Sequence, residues 1–140
     1  MTEDLKKAYR TVMDDHFPPR MEISFVFDDE RTTLVYEKVT WVVDGVRKGL
    51  RYGENPGQEA ALYRLINGHL VLGDVTTIAP GRTLVSDAEL LRAGKHPGKI
   101  NLTDADNALN VLGGIGRCLP GRPAAAVMKH NCPSGVALAG

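Results

Sequence analysis

The chain has 140 residues, of which seventeen are basic and seventeen acidic, so no uniform field draws it onto nucleic acid or an anionic membrane. Hydrophobic residues make up 43% and charged residues 24%, an ordinary globular balance that fits one domain on length alone. Its charged N-terminus lacks the apolar stretch of a secretion signal, no apolar run approaches the roughly 18 residues of a membrane span, and two cysteines without CxxC spacing make a reducing, cytoplasmic setting the expectation.

Residues 2–14 are expected to form a helix, because Leu5, Ala8, Tyr9, Val12 and Met13 recur at helical spacing and Thr2 can cap them. His16-Phe17-Pro18-Pro19 stops that helix, since proline has no amide proton to give. Glu22–Phe27 and Thr32–Val43 are rich in β-branched and aromatic residues and are expected as strands, with a polar turn at 28–31. Asp44-Gly45 is a hairpin signal, so 22–50 is expected as an antiparallel meander.

Residues 51–58 are punctuated by Gly53, Pro56 and Gly57 and are expected as a loop. Residues 60–66 suit a helix or a strand, and Asn67-Gly68 favours a hairpin returning through 69–72. Ser86-Asp87-Ala88-Glu89 has the pattern of a capping box for a short helix closed by Gly94. A second helix, capped by Thr103, carries Ala105, Ala108, Leu109 and Leu112 and is expected to end at Gly113-Gly114. Pro123–Met128 is expected as a buried strand feeding a loop at 129–135. The closing Gly-Val-Ala-Leu-Ala-Gly has the composition of an unfinished helix, and the chain is expected to be part of a longer domain.

Two segments carry most of the chemical interest. The first is Lys129-His130-Asn131-Cys132-Pro133-Ser134-Gly135. An imidazole can take a proton near neutral pH, and a neighbouring ammonium group can stabilise an oxyanion. Both reach one site only if the backbone turns there, a turn expected from Pro133 and Gly135. The second is Leu50-Arg51-Tyr52-Gly53-Glu54-Asn55-Pro56-Gly57-Gln58. Arg51 offers a planar fork suited to phosphate, Tyr52 a face and a hydroxyl, and Gly53 close backbone approach. Each segment alone also fits an ordinary exposed loop. A third segment, Ile100 to Ala108, fits either helix capping by Asn101 and Thr103 or a helix N-terminus aimed at substrate. His16, His69 and His96 lack metal-ligand spacing, no metal site is expected, and Cys118 and Cys132 suit small apolar filling.

Together these segments resemble the formyltransferase part of the bifunctional family that joins phosphoribosylaminoimidazolecarboxamide (AICAR) formyltransferase to inosine monophosphate (IMP) cyclohydrolase. The family pattern is Leu-Arg-Tyr-Gly-x-Asn-Pro-His-Gln, an Asn-containing segment before a helix, and Lys-His-x-x-Pro-x-Gly, met here in that order. The resemblance covers residues 50–140. It implies formyl transfer from 10-formyltetrahydrofolate, as co-substrate, to the 5-amino group of AICAR. It implies His130 as the base, Lys129 as the transition-state stabiliser, and Arg51, Tyr52, Gly53 and Asn101 as substrate-binding residues. It also implies a homodimer in the full-length protein and an α/β fold with layers like those of cytidine deaminases.

Residues 1–49 then form a preceding helix and meander, and 50–140 the start of the formyltransferase domain. Gly57 departs from the family's histidine, and Asn-Cys-Pro-Ser-Gly departs from its commoner loop sequences. Cyclohydrolase activity and nucleotide binding without turnover are the alternatives. Zinc-dependent deamination needs His-x-Glu and Pro-Cys-x-x-Cys, which His130-Asn131-Cys132 does not supply.

Overall fold

The structure is a computed structural model, and it describes residues 16–67, 70–72, 75–78, 85–92 and 94–140. The helix expected at 2–14 lies outside the described residues. Those residues form an α/β arrangement of small antiparallel sheets and one α-helix.

The first sheet contains β1 (Arg20–Phe27), β2 (Glu30–Lys38) and β5 (Tyr63–Leu65), in the order β1-β2-β5. β1 and β2 form a hairpin in full register from Arg20↔Glu37 to Phe27↔Glu30. Asp28 takes a φ of 52° in its turn, a conformation a short polar side chain tolerates. The expected strand from 32 to 43 breaks after Lys38. Its second half, β3 (Trp41–Val43), pairs with β4 (Val46–Lys48) as a separate two-stranded ribbon. The ribbon turns at Asp44 and Gly45, both at positive φ, as the sequence predicts. The single meander expected over 22–50 is therefore two sheets, because β2 takes its second partner from β5, further along the chain.

Asn67 explains why β5 goes there. Its carboxamide oxygen accepts from the Val35 backbone N–H at 2.5 Å, and its Nδ2 donates to the Thr33 carbonyl at 2.9 Å. The side chain extends the ladder along β2; Gly68 and His69 of the expected hairpin lie outside the described residues, and among those described β5 does not pair with β6. β6 (Leu70–Leu72) pairs with β7 (Val75–Ile78) instead. Replacing Asn67 with alanine leaves two backbone groups without this partner and is expected to cost about 1–3 kcal/mol. Urea denaturation should show a lower midpoint with an unchanged slope.

The capping box expected at Ser86 yields only a 3₁₀ turn at Val85–Asp87. So short a run cannot support the cost of nucleating a helix. The one α-helix among the described residues, α1, spans Lys99–Cys118. It starts a full turn earlier than expected, because Asn101 reaches back and its Oδ1 accepts from the Gly98 N–H at 2.9 Å. Thr103 lies inside the helix, where its hydroxyl donates to the Ile100 carbonyl. The helix also runs through Gly113 and Gly114 to Cys118. The two glycines cost about 1 kcal/mol each relative to alanine, and packing of α1 on the following hairpin offsets this.

That hairpin is β8 (Ala124–Lys129) with β9 (Cys132–Leu138). β9 occupies the segment expected to begin a helix. β8 is not a buried strand: its residues alternate, with Ala124, Ala126 and Met128 half-buried and Val127 64% exposed. Among the described residues the buried apolar side chains are Leu34, Val43, Leu50 and Leu65. Cys118 and Cys132 are both exposed, so neither fills apolar space as expected.

Candidate functional site

Arg51 and Tyr52 follow the β3–β4 ribbon and dock on the N-terminus of α1. The Arg51 N–H donates to the Pro97 carbonyl at 2.8 Å, and the Lys99 N–H donates to the Tyr52 carbonyl at 3.0 Å. The Tyr52 ring lies so close to Gly98 that a Cβ there would sit 3.3 Å from it and 3.3 Å from Asn101 Oδ1. Glycine at the helix N-cap thus admits both neighbours. Lys99 adds a salt bridge to Glu54, tying the same loop to the same helix turn.

The Arg51 guanidinium carbon lies 4.6 Å from the centroid of the Tyr52 ring, and Nη2 donates to the Tyr52 hydroxyl at 2.8 Å. Its Nε is buried and finds no hydrogen-bond partner among the described residues. An unpaired buried donor costs about 1–3 kcal/mol.

Gly53 is buried against its own loop. Its N–H donates to the Gln58 carbonyl, and a Cβ would contact Gln58, Glu59 and Ala60 at 3.4–3.5 Å. Asn55 and Gln58 bond reciprocally and close that loop. Gly57, where the family pattern has histidine, is exposed with open space around it. At the edge of the loop, His16 bonds Glu59 through its ring at 2.7 Å and its backbone N–H at 3.2 Å. These bonds hold the Glu59 carboxyl below its ordinary value.

Lys129 ends β8, and His130 and Asn131 form the two-residue turn into β9, with φ of 52° and 62°. Two successive positive φ values define the type I′ hairpin turn. The backbone therefore bends at His130 itself. Pro133 and Gly135 lie within β9, at an irregularity in its register. Two groups on α1 pin the turn: Asp104 Oδ1 accepts from the Asn131 N–H at 2.6 Å, and Asn107 Nδ2 donates to Asn131 Oδ1 at 3.3 Å. Asn101, Asp104 and Asn107 recur every third residue and form a polar ridge along one side of the helix. That spacing is the one trace in the sequence of the roles of Asp104 and Asn107. Asp104→Ala is expected to leave the Asn131 N–H without this partner and cost about 1–3 kcal/mol. Hydrogen exchange over residues 124–138 should accelerate.

One helix therefore receives both motifs, the Arg51–Tyr52 loop at its N-terminus and the His130–Asn131 turn on its flank. Lys99 and Asp104 are five positions apart, or about 7–8 Å along the axis. The Asn101 carboxamide is engaged in capping Gly98. Lys129 and His130 are exposed.

Cavities among the described residues adjoin these elements. One of about 360 Å³ has Leu50, Leu62, Leu102 and Val85 in an apolar wall, with Lys99 and Asp106 also lining it. Two more, of about 490 and 480 Å³, share Arg51, Gly94, Lys95 and His96. Lys129 and His130 line none of the three. Among the described residues no cluster of three His, Cys, Asp or Glu could hold a metal ion, and no helix is long and apolar enough to cross a membrane.

His96, which its spacing gave no reason to single out, is buried at 4% exposure. Its Nε2 lies 3.2 Å from the Trp41 carbonyl and 3.1 Å from the Val46 carbonyl, which fixes the 94–96 segment to the β3–β4 ribbon.

This architecture defines an α/β chain whose loop arginine and hairpin histidine are both mounted on one helix. The family model for the AICARFT/IMPCHase bienzyme matches residues 7–140, and the chain belongs to that family. It is 39% identical over 89 residues to the bifunctional purine biosynthesis protein PurH of Myxococcus xanthus, a match covering 64% of this chain and 14% of that protein. It is 32% identical over 109 residues to PurH of Bacillus subtilis, covering 78% and 16%. It is 42% identical over 98 residues to PurH of Rhizobium etli, covering 69% and 15%. The chain thus spans about one-seventh of the length of these relatives. No solved structure matches it.

Proposed function

We propose that this chain carries the nucleotide-binding and proton-accepting part of an AICAR formyltransferase, within the purine-biosynthesis chemistry for which its relatives are named. The observation that carries this reading is the placing of both motifs against α1, through Tyr52–Lys99 at its first turn, with Arg51–Pro97 just before its cap, and Asn131–Asp104 further along.

In the reaction, the 5-amino nitrogen of AICAR attacks the formyl carbon of 10-formyltetrahydrofolate. A new N–C bond forms, the bond from that carbon to N10 breaks, and N10 leaves with a proton as tetrahydrofolate. His130 takes the amine proton as the bond forms, because the amine's lone pair is shared with the ring and makes it a weak nucleophile. Lys129 supports the negative charge that develops on the formyl oxygen. Arg51 and Tyr52 hold the nucleotide, with Gly53 keeping their loop compact and Asn101 fixing the helix end beneath it.

A cytoplasmic homodimer, a division into a unit at 1–49 and the start of the formyltransferase domain at 50–140, and deaminase-like layering belong to the same proposal. A second reading, nucleotide binding without formyl transfer, is favoured by the exposure of Lys129 and His130 outside the Arg51 cavities.

Incubation with AICAR and 10-formyltetrahydrofolate, followed by chromatography of the nucleotide, separates the two readings. Formyl-AICAR is the expected product. AICAR binding with no product would support the second reading. Consumption of formyl-AICAR without folate would assign the cyclohydrolase step instead.

A further inference from the structure

The His130–Asn131 turn is held from outside its own hairpin. Both turn residues take positive φ, 52° and 62°, where a side chain crowds its own backbone. The ladder behind the turn is irregular between Val127 and Met128. Beyond the Lys129–Cys132 pair the turn is tied to α1 through Asn131. Asp104 Oδ1 accepts from the Asn131 N–H at 2.6 Å, and Asn107 Nδ2 donates to Asn131 Oδ1 at 3.3 Å. The first bond is the shorter and goes to a carboxylate oxygen, so it is the stronger of the two. It also holds the backbone, whereas the second holds a side chain. Asp104 is half-buried, while His130 and Asn131 are exposed, so the turn takes its position from the helix. One turn earlier on the same ridge, Asn101 Oδ1 accepts from the Gly98 N–H, and Gly98 packs on the Tyr52 ring. Asn101 and Asp104 are three positions apart, about 4.5 Å along the axis. The ridge therefore sets the separation between the seat of the Tyr52 loop and the His130 turn.

We propose that Asp104 is a positioning residue for formyl transfer, holding the His130 imidazole in place for the nucleotide amine by way of the Asn131 amide. The proposal rests on the reading of His130 as the base and extends it to a residue to which the family resemblance assigns no role. Asp104 touches no substrate and exchanges no proton. A base must come within about 2.6–3.2 Å of the atom whose proton it takes, and a misplacement of about 1 Å can cost about 10²-fold in rate. Without the Asp104 bond the turn keeps its ladder and the longer Asn107 bond, neither of which fixes the Asn131 amide against α1.

Single-turnover formyl transfer and AICAR calorimetry on the 140-residue chain, with folding checked by circular dichroism, test this. Asp104→Ala should lower the rate about ten- to a hundredfold at unchanged AICAR affinity. Asp104→Asn should recover most of that rate, because a carboxamide oxygen accepts the same N–H. In a His130→Asn background, Asp104→Ala should change nothing further, since it acts through the imidazole already removed. Asp104→Ser, whose hydroxyl is too short to reach the amide, serves the same comparison if Asp104→Ala does not fold. In the free chain, nuclear magnetic resonance should show the His130 imidazole and Asn131 amide signals moved by Asp104→Ala and kept near the parent positions by Asp104→Asn. Unmoved signals in Asp104→Ala would overturn the proposal. So would an equal loss of rate in both backgrounds, or an Asp104→Asn chain as slow as Asp104→Ala. A fall in rate for His130→Asn with none for Asp104→Ala would overturn this inference alone. Equal rates for the parent and His130→Asn, or no turnover in the parent, would overturn the reading of His130 as base and this extension with it.

Discussion

Replacing His130 with asparagine is expected to lower formyl transfer to AICAR by about 10²- to 10⁴-fold, the usual contribution of a positioned general base. AICAR affinity should change little, because the proposed nucleotide-holding residues, Arg51 and Tyr52, lie on a separate loop at the N-terminal end of α1. Asparagine is a better replacement than alanine for a physical reason. His130 has a φ of 52°, a region that asparagine tolerates and alanine does not. His130→Ala would add a backbone penalty of about 1–2 kcal/mol, mixing a folding effect into the kinetic one. Single-turnover rates under saturating folate, with AICAR affinity measured in parallel, separate the two. A His130→Asn chain that turns over at the parent rate would remove the imidazole from the mechanism.

Arg51→Ala should produce the opposite pattern, a rise of about ten- to a hundredfold in the AICAR dissociation constant with little loss of stability. The substitution removes a guanidinium stacked 4.6 Å from the Tyr52 centroid, a contact worth about 0.5–1 kcal/mol at an exposed site. It also removes the buried Nε that has no partner among the described residues, which relieves a cost of similar or larger size. The two effects oppose each other in the free chain, so the unfolding midpoint is expected to move little. Arg51→Lys should not restore affinity, since an ammonium group lacks the planar fork. Calorimetry and urea denaturation on the same preparations check both halves. A large loss of stability with unchanged affinity would make Arg51 a structural residue.

Much of this molecule was legible where the determining physics is local. The Asp44-Gly45 turn, the strands around 22–43 and the loop at 51–58 follow from residue types that favour those conformations wherever they stand. What was not legible was set by partners distant in sequence. Asn67-Gly68 is a good hairpin signal, yet the Asn67 side chain pairs with Thr33 and Val35, more than thirty residues away. Gly-Val-Ala-Leu-Ala-Gly favours a helix by propensity, but pairing with β8 makes it a strand.

The candidate site divides in the same way. Its residue types stood in the sequence as two motifs, and the helix that joins them was partly visible through Asn101 and Thr103. The pinning of Asn131 by Asp104 and the anchoring of His96 to Trp41 and Val46 are tertiary contacts with no local trace beyond the polar spacing on α1.

In the proposed function, α1 presents the Tyr52 loop and the His130 turn to a single nucleotide. Titration of AICAR into chain carrying labelled histidine and tyrosine, followed by nuclear magnetic resonance of the side chains, tests it most directly. The His130 imidazole and Tyr52 ring signals are expected to shift together with one shared dissociation constant. A Tyr52 signal that saturates while that of His130 stays fixed would contradict it.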